Sequence, residues 1–513
     1  MPWPKVDRRH FLASGLAAAA VWPMLGSVRA QSFDSDPFTL GVASGCPEPQ
    51  SVVLWTRLVF PAEAAINMAD PFAPAPAAEF GPLDVAWEIA EDEAFTRPVQ
   101  SGIAPAVPDY AHSVHVEVRG LEPERWYFYR FRCRDAESPV GRTRTAPAAD
   151  AAPGRFSFAF ASCQQYEQGY YGAYRDMAQR ELDLVVHLGD YVYEKSYGAN
   201  LVRRHGAGVP TLLYEYRDRY ALYKSDPDLK AAHAAFPWLA VWDDHEVINN
   251  YAKDQAPDAP RPEIFLEQRR AAYQAWYEHM PVPPRAAPDF SNLTIYGLHG
   301  FGQLIDIALL DTRQYRSPML RGSAALDTEE RTLLGAEQER WLDGALKGSK
   351  AKWTIVGQQT LLCERDTAAG PDTAYNLDGW DGYRSARTRL LDSVAAAGTA
   401  NPIVIGGDLH AFYAAEVKRD FHDEKAPTFA TEFVTGSITS DGPSDASIAT
   451  ALAENPHLKY ASGRDHGYAL MHLSDKQART EFVTVSDRKD PQASARVGQG
   501  FVVLDGVPGV NRV

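Results

Sequence analysis

Five apolar runs in this chain end in side chains able to hold a metal ion or a proton. The run 156–161 ends in Ser162-Cys163-Gln164, and 182–188 ends in Gly189-Asp190-Tyr191-Val192-Tyr193-Glu194. The run 239–242 ends in Asp243-Asp244-His245-Glu246, 353–356 in Gly357-Gln358-Gln359, and 402–405 in Gly406-Gly407-Asp408-Leu409-His410. Taken singly, such residues say little. One Asp after a strand is more often a helix cap than a ligand, one His is often a satisfied core residue, and one Cys is usually a small buried hydrophobe. Together they point to one site, because ligands of open α/β sheets bind beyond the carboxyl ends of the strands.

The chemistry expected there follows from charge. Asp190, Asp244 and Asp408 in one buried cluster repel one another unless cations lie between them. Carboxylate and imidazole together suit divalent or trivalent ions. Two such ions a few ångströms apart polarise a phosphoryl group and make water a nucleophile. Cys163 and Tyr193 add anionic ligands, favouring a highly charged ion such as ferric iron at one position.

Two regions must position these residues. From about 38 to 145 the chain reads as short strands with turns. Val114-His115-Val116-Glu117-Val118 alternates, and Leu121-Glu122-Pro123 leads into Trp126-Tyr127-Phe128-Tyr129. Period-two alternation with Gly and Pro punctuation predicts an all-β sandwich of the immunoglobulin or fibronectin kind. After an Ala/Pro-rich linker at 145–154, apolar runs alternate with helical patterns at 173–180, 265–279, 336–346 and 385–396. That alternation predicts an α/β sandwich. The expected organisation is an export signal over 1–30, a β-sandwich over 31–150 and a catalytic domain over 151–513.

Several blocks taken together resemble the PhoD-like alkaline phosphatase family, within the calcineurin-like metallophosphoesterases. They are Phe160-Ala161-Ser162-Cys163-Gln164, the stretch from His187 to Glu194, Val241-Trp242-Asp243-Asp244-His245-Glu246 and Leu310-Asp311-Thr312-Arg313-Gln314-Tyr315-Arg316. Asp378-Gly379-Trp380-Asp381-Gly382-Tyr383, Gly407-Asp408-Leu409-His410 and Phe433-Val434-Thr435-Gly436-Ser437 continue the series. The resemblance runs from about residue 38 to 485. It implies a four-layer α/β sandwich of two sheets between helices, preceded by a small β-domain. It implies iron held by Cys163, Asp190, Tyr193 and His410, with Asp190 bridging to one or two divalent ions, calcium in kind. Asp244 and Asp408 fall at the second-metal positions, with Asn250 a weaker candidate. His245 falls where the superfamily sets a histidine against the phosphate, and Arg313 is a candidate phosphate clamp whose alternative is a structural ion pair. Where the superfamily has a middle histidine ligand, this chain has Gln358 or Gln359, which suits a harder, oxygen-rich second site.

The activity implied is hydrolysis of phosphate mono- or diesters by direct attack of water. A phospholipase D-like diesterase is one alternative, and a non-catalytic extracellular binding protein is a rival of another class. A purple acid phosphatase relative is a third, against which Cys163 and the Asp-Leu-His block speak.

Composition narrows the partners. The net charge is −16, and removing Lys5, Arg8, Arg9 and Arg29 with Asp7 leaves about −19. So acidic a surface argues against a nucleic-acid or anionic-membrane binder and calls for local positive charge where an anionic ester binds, with bound metal ions the obvious source. Arg8-Arg9, an alanine-rich apolar stretch and Val28-Arg29-Ala30 resemble a twin-arginine export signal, implying the twin-arginine translocase as a partner and a periplasmic or secreted destination. No later run has the roughly 18 apolar residues of a membrane anchor. Of four cysteines none forms a CxxC pair, so a zinc ribbon is not expected. A Cys46–Cys133 disulfide and four free thiols are both open.

Overall fold

The computed structural model describes residues 32–60, 80–257, 261–320, 322 and 326–513. The export signal expected over 1–30 lies outside the described residues.

The first strands are β1 (Val42–Glu48), β2 (Ser51–Arg57), β3 (Leu83–Ala90), β4 (Pro98–Ala106), β5 (Ser113–Arg119), β6 (Trp126–Cys133), β7 (Ala136–Glu137) and β8 (Gly141–Arg144). Next come β9 (Arg155–Ala161), β10 (Leu184–His187), β11 (Pro237–Ala240), β12 (Gly297–Phe301), β13 (Ile305–Leu309), β14 (Trp353–Gly357) and β15 (Pro402–Gly406). The last are β16 (Phe412–Lys418), β17 (Thr428–Val434), β18 (Leu458–Ser462), β19 (Gly467–Ser474), β20 (Gln477–Val485), β21 (Ala495–Leu504) and β22 (Val507–Arg512).

They form a sheet ordered β22-β21-β20-β19-β9-β10-β11-β1-β2-β5, a second ordered β12-β13-β14-β15-β17-β16-β18, and a third ordered β4-β3-β6-β7 with β8 on β6. β9, β10 and β11 are parallel, as are β13, β14, β15 and β17. The fold is therefore α/β with mixed sheets.

Period-two alternation sorts the side chains of β9. Phe156, Phe158 and Phe160 join Ile305, Ile307, Ile355 and Ile405 in a core between the two larger sheets. Ala159 and Ala161 face the other way, packing with Tyr216, Leu229 and Trp276 from the covering helices. On the far side of the second sheet, Val356 and Val404 pack against Leu342 and Leu390 of helices Gly335–Gly348 and Arg384–Ala397.

The N-terminal strands pack as a sandwich that shares one of its sheets with the rest of the chain. Val114, Val116 and Val118 of β5 do pack against Val85, Tyr127 and Phe131 of the third sheet. The Tyr127 hydroxyl also accepts from the Glu122 amide at 2.9 Å, the tyrosine-corner bond of such sandwiches. But β1, β2 and β5 belong to the ten-stranded sheet, because β1 pairs in parallel with β11. One sheet of the sandwich is thus continuous with the sheet that carries the strand ends. The Cys46–Cys133 disulfide is not formed, and all four cysteines are free. Cys133 packs in the N-terminal core while Cys46 leans on the inter-sheet core, so the two thiols serve different cores.

Candidate metal centre

The five strand ends meet. Cys163 donates its amide to the Gly189 carbonyl at 3.2 Å, Val241 to His187 at 3.0 Å, and Gly407 to Gln359 at 2.8 Å, so the backbone ties neighbouring loops together. The turns are tight. Cys163, Asp190, Asp408 and His410 all have left-handed backbones, with φ of 59, 57, 61 and 53°. For non-glycine residues such conformations cost free energy and cluster at functional sites. Gly189 shows why the turn after β10 needs glycine. Its φ is +107°, and a Cβ there would lie 2.5 Å from the Asp243 Cβ. Only with that position bare can the Asp190 loop approach the Asp243-Asp244 loop.

The side chains converge into two overlapping groups. Ligand atoms of Cys163, Asp190 and His410 lie within 4.8 Å of one another, and so do those of Asp190, Asp244 and His245. Asp190 belongs to both. The Tyr193 hydroxyl sits 3.0 Å from Asp190 Oδ2 and 3.1 Å from His410 Nε2. Asp408 is fixed by the Thr360 hydroxyl at 2.8 Å. Asn250 contributes its main chain, donating its amide to Asp244 Oδ2 at 2.6 Å.

This donor set fits metal ions. Asp190 Oδ1, Asp243 Oδ2 and Asp244 Oδ1 are buried with no hydrogen-bond partner, a costly state for a carboxylate oxygen that a cation would relieve. Burial, with the Asp190 charge next, pushes the Cys163 thiol far up, and burial does the same to Tyr193. Burial also raises Asp190, and it lifts Asp408 to about 6. Burial would raise Asp244 as well, but Arg313 and then His245 outweigh it and hold that carboxyl low. Buried anionic ligands that protonate when left to themselves are the ligands a positive ion ionises.

Both histidines are held by the nitrogen pointing away from the cluster. His410 Nδ1 donates to the Asp441 carbonyl at 2.8 Å, leaving Nε2 toward Tyr193. Burial lowers His410 to about 4, which keeps it neutral as a ligand must be. His245 Nδ1 donates to Glu194 Oε2 at 2.7 Å. Burial alone would lower His245, but Asp244, Asp190 and Glu194 outweigh it and hold the ring cationic well above the usual range.

Residues 158–482 match the PhoD-like phosphatase family, and residues 24–147 match the N-terminal domain of PhoD-like phosphatases. The chain belongs to the PhoD-like phosphatase family. It is 40% identical over 532 aligned residues to alkaline phosphatase D of Bacillus subtilis (strain 168), covering 99% of this chain and 89% of that one. It superposes on a solved structure of PhoD with a TM-score of 0.88 at 40% identity, over 94% of this chain and 93% of that one. The purple acid phosphatase PPD1 of yellow lupin (Lupinus luteus) shares the fold, with a TM-score of 0.57 at 11% identity over 90% of this chain and 74% of that one.

Two expectations of this PhoD-like chain need correction. Arg313 is not free to clamp a phosphate. Its Nε pairs with Asp243, Nη1 with Asp378 at 2.8 Å, and Nη2 with Asp244 at 3.5 Å, and its side chain is 1% exposed. It neutralises the carboxylate loop from behind. Nor does either glutamine stand in for a ligand. Gln358 Oε1 accepts from Trp380 Nε1 at 3.1 Å and from the Thr360 amide at 3.0 Å. Gln359 accepts from Thr312 and donates to the Leu310 carbonyl at 2.8 Å. Both amides brace the loops.

Other residues of the site take roles that the sequence does not assign them. Glu194 follows Asp190 by four positions, yet only the fold turns it under His245. Ser440, whose hydroxyl lies 2.8 Å from the Tyr193 oxygen, is 247 residues away along the chain. Glu246 accepts from the amides of Tyr191 and Asp243 at 2.7 and 2.9 Å, stapling the two ligand loops.

Proposed function

We propose that this phosphoric ester hydrolase is an exported, metal-dependent alkaline phosphatase or phosphodiesterase. In this reading Cys163, Asp190, Tyr193 and His410 hold ferric iron. Asp190 is shared with one or two divalent ions, calcium in kind, faced by Asp244 and Asp408. The observation that carries the reading is the group Cys163, Asp190 and His410, with Asp244 beside Asp190 and buried carboxylate oxygens left unpaired. When bound, such ions polarise a phosphoryl group and lower the pKa of bound water.

The chain's own residues do the rest. Glu194 fixes the His245 ring by its Nδ1 proton and sustains its positive charge. The other ring nitrogen then serves the charge that grows on the transferring phosphoryl oxygens. Arg313, with His245, holds Asp244 ionised beside an anionic substrate. With a cation at Tyr193, Ser440, 2.8 Å from the phenol oxygen, would be placed to donate to the phenolate. In this reading water attacks phosphorus directly and no phosphoenzyme forms. The paired arginines Arg8-Arg9 support export by the twin-arginine translocase to the periplasm or beyond. Among the described residues no helix is long and apolar enough to cross a membrane.

The test is metal content of the exported protein, measured with hydrolysis of a monoester and a diester. Iron with a second divalent ion, and turnover lost in Asp190→Ala, is the expected result; the ratio of the two rates ranks the substrates. A folded protein holding no metal and turning over neither ester overturns the reading.

A further inference from the structure

A second concavity opens at the other end of the same strands. Arg155 begins β9, whose far end leads to Cys163, and the two stand about 25 Å apart along an extended chain at roughly 3.3 Å per residue. The concavity has a volume of about 700 Å³ and is lined by Arg142, Arg144, Arg155 and Arg180. Arg142 and Arg144 are two apart on β8 and so share one face of that strand. Their guanidinium carbons lie 4.1 and 5.7 Å from the centre of the Trp126 ring.

The charge in this concavity is incompletely answered. Glu124, Glu181 and Asp183 also line it, but Arg144 already engages Asp183 and reaches Glu124 at 3.4 Å. Arg180 is held by Asp176 at 3.0 Å. Arg142 spends its Nε on the Ala235 carbonyl at 3.2 Å. Among the described residues neither Arg142 nor Arg155 pairs with a carboxylate. Arg144 Nε is buried without a hydrogen-bond partner. Burial works against ionisation of Arg144 first, Glu124 favours it, and the Arg155 charge opposes it again. The lining sets four guanidinium groups against three carboxylates, with Arg180 answered by Asp176, so among the described residues Arg142 and Arg155, beside Glu181, are the cations left to meet an anion in a chain of net charge −16.

We propose that this concavity is a second anion site that takes phosphate groups, and that its size suits an anion carrying several of them. The planar guanidinium fork matches phosphate oxygens in pairs. Trp126 holds the Arg142 fork by its face, which leaves the two Nη groups of Arg142 for a ligand, whereas Arg144 already spends its Nη groups on Asp183 and Glu124. The residues share no side-chain contact with the metal centre, so the proposal stands apart from the reading of that centre.

The experiment is titration calorimetry of the metal-loaded, full-length protein with tripolyphosphate, and in parallel with inorganic phosphate. The wild type should show a binding event beyond the metal centre. Arg155→Gln should weaken it about tenfold, as expected for loss of one charged hydrogen-bonding group, and Arg142→Gln with Arg155→Gln should abolish it. Hydrolysis of a small monoester at saturating concentration should stay unchanged in both. Arg155 is exposed at a strand end, so the single variant remains informative if the double one folds poorly. Equal losses for both ligands identify free phosphate as sufficient; losses for tripolyphosphate alone identify linked phosphates. A wild type with binding only at the metal centre, or variants that bind as the wild type does, overturns the proposal.

Discussion

His245 and Glu194, 51 residues apart, meet at 2.7 Å with the Glu194 side chain fully buried. Glu194 Oε1 accepts in turn from the Tyr197 hydroxyl at 2.6 Å and the Asn249 amide at 3.3 Å. Burial would raise the Glu194 carboxyl, but His245 and these donors keep it below the usual range and ionised. Replacing it with glutamine keeps the shape and removes one of the three carboxylates, after Asp244 and Asp190, that favour the imidazolium. Glu194→Gln is expected to lower kcat about 10- to 100-fold, the scale of losing an oriented charged partner, with KM little changed. Steady-state kinetics on a monoester checks this. A variant with wild-type kcat would remove the pair from the chemistry.

Tyr193 offers a spectroscopic handle. With ferric iron bound, a phenolate ligand colours the protein. Tyr193→Phe is expected to abolish the visible absorption band and Ser440→Ala to shift it, because Ser440 lies 2.8 Å from the phenol oxygen. Absorption spectra of the loaded variants decide it. A band that persists in Tyr193→Phe would assign the colour to another ligand, with Cys163 the next candidate.

Gly189 tests the geometry of the turn. Its φ of +107° is strained for any L side chain, and an added methyl would meet Asp243 at 2.5 Å. Gly189→Ala should separate the Asp190 and Asp244 loops and lower thermal stability by about 2–3 kcal/mol. Bound metal and activity should fall together, as metal analysis and melting curves of the same preparation would show. Unchanged metal content would mean that the loops adapt.

How much of this was legible in the sequence depended on the kind of signal each residue leaves. Parallel strands buried on both faces read as apolar runs, so β9, β10, β14 and β15 were visible, and the residues just past them were the ones that converge. Helix Leu213–Lys224 was not visible. Its buried residues are Tyr216, Tyr220, Tyr223, Arg219 and Lys224, amphipathic groups that blur the apolar period. The sharing of a sheet by β1, β2 and β5 was hidden for another reason. Alternation reports that a strand has two unlike faces, and says nothing about which strand it pairs with. Arg313 was readable as a cation near the site, but its orientation toward three carboxylates depends on Asp378, 65 positions on.

Lys224 carries the clearest pH prediction. It closes that tyrosine-rich helix, fully buried, with its Nζ lacking any hydrogen-bond partner. The ammonium lies 4.3 Å from the Trp55 ring centre and 5.7 Å from that of Tyr191. The titratable groups facing it include His233 and His279, both held neutral by burial. Burial lowers Lys224 itself from 10.5 to about 7. The sign follows from proton counts. Below pH 7 both folded and unfolded chains keep the proton, and the folded state bears the whole cost of the buried charge. Between about pH 7 and 10.5 the folded chain has shed the proton and the unfolded chain has not, so this group makes stability rise with pH. Two pH units in that window correspond to about 2–3 kcal/mol. Lys224→Met keeps the length of the side chain and removes the charge. The variant is expected to be more stable than the wild type at pH 7 by a few kcal/mol, with the gap closing by pH 9. Urea unfolding at the two pH values measures both quantities. A variant less stable than the wild type at pH 7, with the same rise toward pH 9, would mean that the ammonium is stabilised where it lies by the faces of Trp55 and Tyr191.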